Sequence, residues 1–116
     1  MKKLVVFIFI LLLTACSSGD EMPKGILPIS KMKTVIWDMS LADAMASQKY
    51  ILNKDSQRIM VTGLYSKIFS LQKIDKATFY KSFAYYEAHP TVLQTLFDSV
   101  NAYGTRQKAK VYQKGL

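Results

Sequence analysis

Large apolar side chains recur three and four residues apart along most of this chain, and that spacing limits it to helices. From Met32 the series runs Val35, Ile36, Met39, Ala42, Met45 and Ala46, one face of a 3.6-residue repeat. No Asn-Gly hairpin turn occurs, and no strict alternation of apolar and polar residues persists. The first helix is expected over about 31–50, with Ser30 as its N-cap after Pro28-Ile29. Asn53 or Asp55 caps a second, whose apolar face carries Ile59, Val61, Leu64, Tyr65, Ile68 and Phe69. Gly63 inside that run either admits a close neighbour or weakens the helix.

Asp75 caps a third helix, with Phe79, Phe83 and Tyr86 on one face. His89-Pro90 interrupts it, because the residue before a proline is pushed out of the α region. Proline is welcome in the first turn of the next helical segment. That continuation carries Val92, Leu93, Leu96, Phe97, Val100 and Tyr103, and Gly104 either stops or bends it. Each stripe is too broad to leave wet. The fold class is therefore all-α: a small bundle of three long helices, the third broken at His89-Pro90 into two segments.

With 116 residues the chain holds one small domain, too short for a doubly wound nucleotide fold. One cysteine excludes a disulfide framework and a multi-cysteine zinc site, and one histidine excludes a His-rich metal cluster. No metal and no cofactor is expected.

The N-terminus reads as an address. Met1-Lys2-Lys3 is a basic start, and Leu4 to Leu13 is an unbroken apolar run of ten. Roughly 20 apolar residues are needed to span a bilayer, so the run fits a secretory signal rather than a permanent span. Leu13-Thr14-Ala15-Cys16 then matches a bacterial lipobox. On this reading cleavage falls between Ala15 and Cys16, and Cys16 takes a diacylglycerol and an amide-linked, palmitate-type acyl chain. A single acyl chain holds a protein only marginally, and several make attachment effectively permanent. The competing reading is an ordinary buried thiol at the end of a core helix. The divisions expected are 1–15 signal peptide, 16–29 lipidated tether, 30–112 helical bundle and 113–116 basic tail. Ser17, rather than an aspartate, follows the cysteine, which favours the outer membrane over retention at the inner one.

The full chain carries a formal charge of +8, and loss of Lys2 and Lys3 with the signal leaves +6. Four of those charges sit in the last sixteen residues, on Arg106, Lys108, Lys110 and Lys114, with no acid among them. Export to the cell envelope removes nucleic acid as a partner. The basic end reads as a solvated helix terminus whose cations complement the helix dipole. Attraction to anionic lipid headgroups is the functional alternative.

No nucleophile elbow, phosphate loop, His-Glu-x-x-His or calcium loop is present. Thr78, Ser82, Tyr85 and His89 form one polar stripe beside the apolar face of the third helix. Ser82, Tyr85, Tyr86 and His89 are thus the candidate binding surface, for a protein or a glycan held by aromatic stacking and hydroxyl hydrogen bonds. The competing reading is interhelix packing, with His89 bonding a helix-terminal carbonyl. Asp38 and Asp43 lie about 140° apart around the first helix and do not converge. They read as solvated charges or partners of a lysine. No catalytic residue is assigned.

Trp37-Asp38-Met39-Ser40-Leu41-Ala42-Asp43-Ala44, Tyr65-Ser66-Lys67-Ile68-Phe69, Phe79 through Pro90 and Phe97-Asp98-Ser99-Val100 form a wider pattern. It resembles a family of short helical lipoproteins from Bacteroidota, a domain of unknown function, over about 28–102. Ser40 stands where many relatives carry a histidine. The resemblance implies an all-helical lipoprotein and carries no catalytic residue with it. The expectation is a non-enzymatic, lipid-anchored envelope protein that serves as an interaction or scaffold module. The alternative is a small envelope hydrolase or glycan-acting enzyme using the polar residues of the third helix.

Overall fold

A computed structural model of the chain describes Lys2, Lys3, Val5 and residues 22–115. Ala15 and Cys16, and with them the expected cleavage and lipidation sites, lie outside the described residues. The body is all-helical, with α1 at Ile29–Lys49, α2 at Lys54–Leu71, α3 at Lys76–Ala88 and α4 at Pro90–Lys114. α1 lies between α2 and α4, and α3 packs on α4. The break expected at His89-Pro90 is present and divides the third helix into α3 and α4. His89 sits at φ −126° and ψ 83°, outside the helical region, and Pro90 opens α4. What is left of the third helix is 13 residues, and α4 runs for 25.

Local chemistry sets most of the boundaries. The Asn53 side chain accepts from the Ser56 amide at 2.9 Å, so Asn53 rather than Asp55 caps α2. Asp55 instead pairs with Arg58 at 2.6 Å within the first turn. Asp75 caps α3 by accepting from the Thr78 amide at 3.2 Å. The C-terminus of α2 closes without a glycine. Lys73 takes a left-handed conformation, φ 56°, while the Ile74 amide reaches the Phe69 carbonyl at 2.9 Å and the Lys73 amide reaches Ser70 at 3.2 Å. That double closure turns the chain sharply and drops Ile74 into the core beside Phe69.

The start of α1 departs from expectation. Ser30 is not its cap; the helix begins two residues earlier than expected, at Ile29 after Pro28, with no side-chain cap. Residues 22–28, counted with the tether on sequence grounds, pack on the bundle. A turn at Pro23–Ile26 closes with Gly25 at φ 83°, and Met22, Ile26 and Leu27 lie against the core. With the incoming chain fixed this way, α1 is oriented without a serine cap.

Gly104 does not stop the last helix, which continues to Lys114 and takes in the first residues assigned to the tail. An added Cβ on Gly104 would sit 2.3 Å from the Trp37 ring, so only glycine lets α4 approach α1 this closely. The core gathers Met32 and Val35 of α1, Phe69, Ile74, Phe79 and Tyr86, and Leu96 and Val100 of α4. It occupies the end of the molecule where α1 begins. Away from it the expected stripes are only partly covered: Met45 and Ile59 are exposed, and Phe97, next to the core residue Leu96, is exposed as well.

Candidate functional site

The polar stripe of α3 divides into an inner and an outer pair. Ser82 and Tyr86 are fully buried. Ser82 Oγ accepts from the Leu27 amide at 2.9 Å and donates to the Thr78 carbonyl at 2.7 Å. Tyr86 OH donates to the Leu27 carbonyl at 2.7 Å. Both backbone groups of Leu27 are therefore satisfied from α3, and burial, then the neighbouring Tyr85, raises the Tyr86 phenol above its ordinary pKa. These two residues hold the strap before α1 and present nothing to a ligand. Tyr85 is half-buried and His89 exposed, with ring centroids 4.1 Å apart in a stacked pair. His89 Nδ1 lies 2.7 Å from the Tyr85 carbonyl, which can only accept, so that nitrogen carries the proton. The four residues thus do not form one surface.

The carboxylates of α1 also go to neighbours, and neither to a lysine. Asp38 accepts from the Gln72 amide nitrogen at 2.7 Å, while Gln72 accepts from Thr34 Oγ1 at 2.9 Å. Asp43 accepts from Tyr65 OH at 2.7 Å. Burial, then the bond to Asp43, moves the Tyr65 phenol well above its usual pKa. Both carboxylates thereby fix α2 against α1. Ser82 and His89 are seven residues apart, about 10 Å along the axis, so no nucleophile–base pair forms there. Among the described residues, no group of three or more His, Cys, Asp or Glu could hold a metal ion.

Concave surface lies elsewhere. Between α2 and α3 a cleft of about 470 Å³ is floored by Tyr65, Phe69 and Tyr80, with Arg58 and Lys76 on its lining. Between α1 and α4 a more open groove of about 630 Å³ is lined by Trp37, Leu41, Tyr103, Lys108, Val111 and Tyr112. Lys108 and Lys33 place their ammonium groups 5.8 Å from the Trp37 and Tyr103 ring centres. Aromatic walls with cations suit partners that combine an apolar face with negative charge. Neither cleft is legible in the sequence. The available signal is Gly104, a small residue mid-helix, which marks a close crossing but does not say which aromatic crosses there.

A family model described as Domain of unknown function (DUF4296) matches residues 23–110, from the turn before α1 to the last turn and a half of α4. No curated protein and no solved structure matches the chain.

Proposed function

This chain belongs to the DUF4296 family, a domain of unknown function, and from that premise we propose that it is a lipid-anchored lipoprotein of the bacterial envelope, an interaction or scaffold module. The observation that carries the anchor is an order of residues: two lysines, ten apolar residues, then Leu13-Thr14-Ala15-Cys16. The three parts are individually common, and their succession at these spacings is not. The outer membrane is the proposed address, since Ser17 follows the cysteine. Support for an interaction role comes from the two aromatic-lined clefts, each open to solvent and each bordered by cations. The enzymatic alternative has no observation in its favour, because Ser82 and Tyr86 are occupied by Leu27.

Cys16→Ala is the test. Expression in a bacterium that processes lipoproteins, followed by fractionation and mass spectrometry, should give a wild-type chain that starts at an acylated Cys16 and sediments with membranes. The variant should accumulate unprocessed or soluble. A wild-type protein with a bare thiol and its leader still attached overturns the anchor. Detergent extracts that yield no stoichiometric envelope partner by crosslinking overturn the interaction role.

A further inference from the structure

One end of the molecule is packed and the other is open. α1 and α4 run in the same direction, since Trp37 meets Gly104 and Leu41 shares a groove with Val111 and Tyr112. Counting forward from the Trp37–Gly104 contact brings Lys114 level with Ser47, about one turn short of the link between α1 and α2. The ends of α1 and α4, that link and the start of α2 therefore share one end of the fold, opposite the core. Most of the exposed large apolar residues collect there: Leu41, Met45, Ile51, Leu52, Ile59, Val111 and Tyr112. Leu52, at the tip of the link, is 97% exposed.

The same end is basic. Among the described residues, Lys49, Lys54, Arg58, Arg106, Lys108, Lys110 and Lys114 stand with three acids, Asp38, Asp43 and Asp55. Asp38 accepts from Gln72, Asp43 from Tyr65, and Asp55 pairs with Arg58. Apolar tips ringed by lysines, with a tyrosine beside them, match the interfacial layer of an anionic bilayer: side chains of the Ile51 and Leu52 kind enter the acyl boundary while ammonium groups reach phosphates. A second copy would set like charges against each other. An acidic protein would need one continuous apolar surface, whereas here the tip and the end of α4 are separate projections. Lipid headgroups conform to both.

We propose that this end is a contact site for anionic phospholipid, with Ile51 and Leu52 as the inserted tip and Lys49, Lys54, Lys110 and Lys114 as its phosphate-facing rim. The site goes beyond the acyl anchor and does not require it. Such an anchor joins the fold at the start of α1, so contact at both ends lays α1 along the membrane rather than upright on it.

The test uses the full chain bound to vesicles, with Leu52→Trp as a reporter and wild type supplying the Trp37 background. In phosphatidylcholine vesicles containing phosphatidylglycerol, the added indole should shift to the blue and be quenched by brominated acyl chains. In phosphatidylcholine alone it should stay wet. Each neutralisation among Lys49→Gln, Lys54→Gln, Lys110→Gln and Lys114→Gln should weaken the effect roughly fivefold, and salt should weaken it further. An indole unquenched in both lipids overturns the proposal. So does protection that appears only with an acidic envelope protein present, or that rises with chain concentration in detergent and reports self-association. Flotation of the vesicles reads the acyl anchor separately, so the two can fail independently.

Discussion

Two glycines inside helices have opposite meanings, and only their neighbours distinguish them. A Cβ at Gly63 would meet nothing within 4 Å, so its cost to α2 is uncompensated. Gly63→Ala should raise stability by about 0.5–1 kcal/mol, read as a higher melting temperature. Gly104→Ala should lower it by about 1–3 kcal/mol, because a Cβ would strike the Trp37 ring and α4 would have to back away from α1. Trimming Trp37 to Leu in the same chain should recover part of the loss. A Gly104→Ala variant as stable as wild type would show that the ring moves aside freely. Ser82 and Tyr86 teach a similar lesson. A serine and a tyrosine on a polar stripe look like ligand groups, yet their partner is Leu27, 55 and 59 residues away in sequence. No spacing rule reaches that far.

At the scale of elements, caps are local and therefore legible. Asn53 and Asp75 announce α2 and α3 by their own chemistry, and His89-Pro90 separates α3 from α4 in the same way. The C-terminus of α2 is not legible, because Lys73 stands in a left-handed position usually held by glycine. Lys73→Gly should relieve that conformation and stabilise the fold by about 1 kcal/mol in a denaturant titration. The strap before α1 is an element built without periodicity. Ser82→Ala removes the acceptor for the Leu27 amide and should cost about 1–3 kcal/mol. Hydrogen exchange at the Leu27 amide should accelerate more than exchange in α2. Uniform acceleration throughout would mean that the strap and the bundle open as one unit.

For the whole molecule, α1 is the centre, and its cross-links to α2 make the assembly sensitive to alkali. Tyr65 is held protonated in the fold, above its unfolded pKa of about 10. The folded state therefore keeps a proton that the unfolded chain gives up first. The stability this contributes is fully present below about pH 10 and is lost as pH climbs through the folded value. The melting temperature should fall above that pH, and less steeply in Tyr65→Phe, which has no phenol to titrate. Equal slopes in the two proteins would remove Asp43–Tyr65 from the account. What the sequence alone determined is the helical class, the approximate span of each helix and the break at His89, because periodicity, caps and proline act over a few residues. Which stripe faces which was decided only by tertiary structure. Met45 and Ile59 satisfy the helical period as well as Val35 and Phe69 do, yet they remain exposed. The physical reason is that these four helices have enough apolar surface to close one end and too little to close both. Burial goes to the end where α3, the strap and Ile74 supply additional cover.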